Sequence, residues 1–150
     1  MKLRPLPIEA VTADLIYRGV DEERARLLAH ISGGRPGYAR RLVDDVTLLE
    51  KRDERLNDLQ TLLPAARVEK FSYADKLSKD KDAMRQAIII WLSYWRDVML
   101  RVAGAETPLT NVDRNMEIEF LAGRLNLSTA RRVVSDLEKK KKKMDRNVNS

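Results

Sequence analysis

The sequence predicts an all-α protein of 150 residues. Three observations carry that expectation. Apolar residues recur at three- and four-residue intervals over most of the chain. No stretch alternates apolar with polar residues or offers an Asn-Gly hairpin turn. Glycines and prolines fall between the periodic segments, where helices start and stop. Charged residues make up 35% of the chain and hydrophobic ones 43%. That balance suits helices with long solvated faces around a core that one domain, or two small ones, can bury.

In order along the chain, Pro7 is read as the first residue of the first helix, with Glu9 placed to suit the dipole. Ile8, Val11, Leu15 and Ile16 recur at helical spacing, and Gly19 ends the helix. Asp21 is an N-cap for the second helix, with Glu22 and Glu23 behind it; Ala25, Leu28 and Ala29 carry it to Gly33. In Ser32-Gly33-Gly34-Arg35-Pro36-Gly37, either Gly33 or Gly34 supplies the left-handed residue that closes a helix, and Pro36 opens the next. That third helix is expected to run from Pro36 to about Leu63, with Leu42, Val46, Leu49, Leu56, Leu59 and Leu63 on or near one stripe. The charged section Glu50 to Arg55, where Asp53 interrupts the stripe, is expected to be exposed or to mark a bend.

Pro64 breaks the pattern. A helix over about 65–78 is amphipathic through Val68, Phe71, Ala74 and Leu77. Asp80 caps the next, about 81–103, where Met84, Ile88, Trp91, Trp95, Val98 and Val102 follow a 4-3-4-3-4 spacing. Ile89, Ile90, Leu92, Tyr94, Met99 and Leu100 widen its apolar face, which puts it in the middle of a bundle. Gly104 ends it. After Thr107-Pro108, a helix over about 113–125 carries Met116, Phe120, Leu121 and Leu125. Ser128 is read as the cap of the last helix, which holds Val133, Val134 and Leu137 and runs into lysines.

The net charge of +6 is unevenly placed. Residues 128–150 hold eight Lys or Arg against three Asp or Glu; the first 127 hold 21 against 20. The body is nearly neutral and only the tail is basic, so the whole-chain charge does not describe a nucleic-acid-binding surface. Lys139, Lys140, Lys141, Lys142 and Lys143 fit either of two roles: contacts to nucleic-acid phosphates, or a solvated helix end that suits the negative end of the dipole. The absence of cysteine excludes disulfides and thiolate metal sites and suits a reducing cytoplasm. No secretory signal is visible, and the longest apolar run, Ala87 to Leu92, is far short of a bilayer span, so a soluble protein with no membrane partner is expected.

No constellation for catalysis stands out. The one histidine, His30, lies between Ala29 and Ile31 without a second histidine or a cysteine. There is no phosphate-binding loop, nucleophile elbow or zinc pair. No catalytic, metal-ligating or cofactor-binding residue is therefore expected, and no enzyme activity. Glycine amides at the start of a helix can hold an anion, but Gly33 to Gly37 lack a preceding strand and are read as a helix-to-helix turn. Trp91, Tyr94 and Trp95 could stack bases, yet they sit in the most apolar helix and are read as core. Arg96 and Asp97 beside them are expected to form a buried or half-buried ion pair.

Taken together, Pro5-Leu6-Pro7, Leu15-Ile16-Tyr17-Arg18-Gly19, Ala29-His30-Ile31 and the turn Gly33, Gly34, Arg35, Pro36, Gly37 resemble the lid domain of the delta-prime subunits of bacterial DNA polymerase III clamp loaders. Trp91 to Leu100, with Trp95-Arg96-Asp97, is similar to that family's collar helix, as are Asn111-Val112-Asp113-Arg114 and Asn147-Val148-Asn149. The resemblance implies a three-helix lid over residues 1–48 and a helical-bundle collar over 49–150. It implies a non-catalytic scaffold that assembles through the collar with the ATPase subunits and delta, and meets DNA only through the intact complex. It also implies that the chain is a C-terminal piece, since such sequences begin with an ATPase-like core. Where ATPase relatives carry a sensor arginine two residues before an alanine, Gly37 precedes Ala39, so no nucleotide-sensing residue is expected. From the residues alone, the alternative is a helical nucleic-acid-binding domain using the basic last helix.

Overall fold

A computed structural model describes residues 4–148. Among these residues the protein is all helical, with no strand. Helix α1 covers Ile8–Tyr17, α2 Glu22–Ile31, α3 Pro36–Asp44, α4 Val46–Leu62, α5 Arg67–Ser78 and α6 Lys81–Val102; a 3-10 helix, Val112–Arg114, leads into α7, Asn115–Ala122, and α8 is Leu127–Val148.

Helices α1 to α3 close around Val11, Leu15, Leu28, Ala29 and Leu42, all fully or nearly fully buried. An ion pair at 3.1 Å between Arg40 and Asp14 ties α3 to α1. Asp21 caps α2 by accepting from the Arg24 amide. Both Gly33 (φ 65°) and Gly34 (φ 79°) take the left-handed conformation, and Pro36 opens α3. Gly34 is irreplaceable for a second reason: a Cβ there would overlap the Leu6 carbonyl oxygen. The Leu6 amide donates to the Gly34 carbonyl at 2.7 Å, so the chain ahead of α1 is tied to the turn after α2.

The expected helix from Pro36 to Leu63 is two helices. Asp45 is extended (φ −122°, ψ 98°), and its carboxylate accepts from the Thr47 amide at 3.0 Å and the Thr47 hydroxyl at 2.6 Å. A short acidic side chain that captures local donors competes with the helix and restarts it as an N-cap. The bend is therefore at Asp45, and α4 runs unbroken through the charged section. Val46 is consequently exposed instead of lying on the buried stripe.

Helix α4 serves two clusters. Leu48 and Leu49 lean on the first; Leu56 and Leu59 belong to the second. That second cluster gathers Leu92, Tyr94, Trp95 and Val98 of α6, Leu109, Ile118 of α7 and Val134 of α8. Helix α6 packs against α4, α5, α7 and α8, the central position its apolar girth predicts. Asp80 caps it through the Ala83 amide. Helix α8 runs antiparallel along α6, with Arg85 paired to Asp145 at 2.9 Å and Arg96 to Glu138 at 3.3 Å.

Smaller expectations shift. Pro7 stands at the cap of α1, its carbonyl accepting from Ala10 and Val11, and not inside the helix. The cap of α8 is Asn126, whose side-chain oxygen accepts from the Thr129 amide at 2.8 Å, and not Ser128. The helix expected over 113–125 begins as the 3-10 turn and stops at Ala122.

Candidate functional site

Two features of the second cluster position what the surface presents: a polar clamp inside it, and apolar side chains left outside it. The clamp starts at Asp97 of α6, which is buried. Its carboxylate accepts from the amides of Thr110 (3.1 Å) and Asn111 (2.8 Å) and from the Asn111 side-chain amide (2.8 Å). Asn111 in turn accepts from Arg52 of α4 at 2.9 Å. Arg52 also forks onto Asp113, with bonds of 2.9 and 2.7 Å. Burial pushes the Asp113 carboxyl up, but the hydrogen bonds and charge of Arg52 outweigh it and hold the group below its ordinary value. Arg114 extends the clamp to Asn57 and Glu117. The loop 105–114 is thus fixed to α4 and α6 by fully partnered polar groups.

The expected Arg96–Asp97 pair does not form. Neighbours in sequence on a helix point about 100° apart, since 3.6 residues make a turn. Asp97 faces the loop, while Arg96 is exposed and pairs with Glu138. The residue that sequence reading missed is Arg52, only 3% exposed. A signal was present: Leu49, Arg52, Leu56, Leu59 and Leu63 follow a 3-4-3-4 spacing, which places an arginine on the buried stripe.

Trp95 and Tyr94 are buried. Gln60 donates to the Tyr94 hydroxyl at 2.8 Å, and burial raises that phenol's pKa. Trp91 is half-buried and donates through its indole N–H to the Arg55 carbonyl at 3.0 Å. Its ring stands 5.9 Å from that of Tyr73 in α5. Tyr73 donates to Asp58 at 2.6 Å, and burial followed by that carboxylate pushes its pKa up to about 12.

Tyr73 and Leu77, one turn apart, are the inner face of α5; of the expected stripe Val68, Phe71, Ala74 and Leu77, only Leu77 is buried. Two residues of helix turn the direction by about 200°, so Phe71 faces away when Tyr73 faces in. Val68 is 78% and Phe71 72% exposed, and Ala74 is exposed as well. On α7, Ile118 is buried while Met116 (86%) and Phe120 (65%) stand outside. The Arg124 guanidinium lies 4.3 Å over the Phe120 ring. Large apolar residues on α5 and on α7 are therefore exposed.

The remaining sequence-selected residues lie elsewhere. Gly33 to Gly37 form the α2–α3 turn. His30, half-buried, lines an open cleft with Asp21, Glu22, Glu23, Arg26 and Leu27 of the α2 region and Val112 of the 3-10 helix. Lys139 to Lys143 are in the second half of α8; Lys141 pairs with Asp145 at 3.2 Å and the other four are exposed. No group of three or more His, Cys, Asp or Glu suited to a metal ion occurs among the described residues. No described helix is long and apolar enough to cross a membrane.

A family model described as DNA polymerase III, delta subunit, C terminal, matches residues 47–150, which takes in nearly all of α4 and everything after it. Neither curated proteins nor solved structures give a match. The matching description names delta where the sequence resemblance implied delta-prime; the clamp loader is common to both. With more than half of its length matched, the chain belongs to the clamp-loader family defined by the C-terminal region of the DNA polymerase III delta subunit.

Proposed function

We propose that this chain is a non-catalytic scaffold of the clamp loader, acting in the cytoplasm, in which residues 1–48 are a lid and 49–150 a collar that packs against the other subunits. The observation that carries the reading is the apolar set Val68, Phe71, Met116 and Phe120, exposed beside a core already complete without them. Exposed apolar side chains of this size, in pairs two to four residues apart on one helix, suit surfaces that a partner covers. The polar clamp supports it, since it fixes the 105–114 loop against α4 and α6 and reaches α7 through Arg114 and Glu117 before a partner arrives.

Between delta and delta-prime, we favour delta-prime, on the glycine turn after Ile31 and the Trp95-Arg96-Asp97 order. The partners are then the ATPase subunits and delta. The test is co-purification of the full chain with those subunits from one source. Stable capture of a separate delta subunit supports delta-prime; capture of the ATPase subunits without it points to delta. Val68→Ser, Phe71→Ser, Met116→Ser and Phe120→Ser combined should abolish capture. Failure of the unaltered chain to bind any of them overturns the scaffold reading.

A further inference from the structure

The carboxylates and lysines of α8 face different neighbours. Glu138 turns to Arg96 and Asp145 to Arg85, both on α6. Only Lys141 shares one of these acids. Lys139, Lys140, Lys142 and Lys143 are exposed and have no ion pair among the described residues; nor have Arg131 and Arg132, exposed two turns earlier on the same helix. Asp136 is the one carboxylate of α8 left facing solvent with them. The arginines of α6 thus remove the acids that would neutralise the lysines. A strip from Arg131 to Lys143, about 18 Å long at ~1.5 Å per residue, keeps six positive charges against one negative.

The composition of the strip selects its partner. A membrane-surface helix buries apolar residues beside its lysines, but Val133, Val134 and Leu137 already pack into the second cluster. Protein interfaces are anchored by aromatic residues and depleted in lysine, and the strip has no aromatic residue. Single-strand grooves stack bases on aromatic rings, which it also lacks. What remains is a duplex phosphate backbone, bound by charge neutralisation and counterion release. We propose that the outer face of α8, from Arg131 to Lys143, is a sequence-independent contact surface for double-stranded DNA. It lies on neither α5 nor α7 and does not depend on the scaffold reading.

The probe is a fluorescein-labelled DNA duplex of arbitrary sequence, titrated with the full chain and followed by anisotropy. If four lysines each displace a counterion, the log–log salt slope is about −3.6, and affinity falls roughly 100-fold between about 50 and 200 mM salt. Lys139→Ser, Lys140→Ser, Lys142→Ser and Lys143→Ser combined should lower affinity at least about tenfold and flatten the slope. The matching set of Lys→Arg changes should keep both, and circular dichroism should show α8 intact in each. Serine variants that bind as the unaltered chain does, a duplex that does not bind at low salt, tighter binding to the single strand, or equal binding to phosphatidylserine vesicles would each overturn the proposal.

Discussion

Asp97 shows how much one side chain holds. Its carboxylate is the acceptor for two loop amides and one side-chain amide, and it is buried with Asn111, which supplies two of the three. Leaving a buried donor without an acceptor costs about 1–3 kcal/mol, so Asp97→Ala should destabilise the chain by about 3–5 kcal/mol. Asp97→Asn should cost less, because the carboxamide oxygen still accepts. Urea unfolding of the two variants checks this; a loss under about 1 kcal/mol for alanine would mean that the loop is held by something else. The sequence singled out Asp97 but assigned it the wrong partner. Its true partner, Asn111, lies 14 residues ahead across a loop whose path no periodicity describes. Arg52 was legible only as an arginine on a leucine stripe, a pattern that is easily set down to a solvated face.

At the scale of elements, the legible part is what repeats. Helix α6 announced itself because apolar residues cover most of its circumference, so its central place did not depend on knowing which side faced what. Helix α5 is the opposite case. Steps of three residues drift about 60° each, so the stripe that starts at Val68 reaches the face of Tyr73 only at Leu77; there the hydroxyl of Tyr73 finds Asp58 and its ring finds Trp91. Val68 and Phe71, which the sequence put on the apolar face with Leu77, are exposed. Because Val68 and Phe71 bury so little here, Val68→Ser with Phe71→Ser should shift the stability of the isolated chain by no more than about 0.5 kcal/mol. Trp95→Ala, inside the cluster, should cost about 3–5 kcal/mol. Thermal unfolding of the two variants separates the cases; a large loss in the α5 variant would place that stripe in the core and remove it from the candidate interface. The α3–α4 break was likewise hidden, since Asp45 differs from the many acids around it only in capturing Thr47.

Across the whole molecule, carboxylates act as ties between elements. Asp14 joins α1 to α3 through Arg40, Asp113 joins the 3-10 helix to α4 through Arg52, and Asp145 joins α8 to α6 through Arg85. Each is held below its ordinary carboxylate value. For Asp14 and Asp145 the first cause is the arginine hydrogen bond; for Asp113 burial opposes the shift and Arg52 overcomes it. A group whose folded pKa is depressed contributes stability that is fully present above its unfolded value and is lost as pH falls through the folded one. The unfolded reference is 3.8. The urea midpoint should therefore be level from about pH 7 down to about pH 5, then fall as pH drops through and below about 4. Salt divides the contributions. Asp14 and Asp145 are bridged at the surface and should lose much of their share near 1 M salt, whereas Asp113 faces an Arg52 that is almost wholly buried and should keep its own. Asp113→Asn should consequently flatten the part of the acid transition that survives high salt. An unchanged high-salt transition in that variant would show that the clamp between α4 and the 105–114 loop does not depend on this charge.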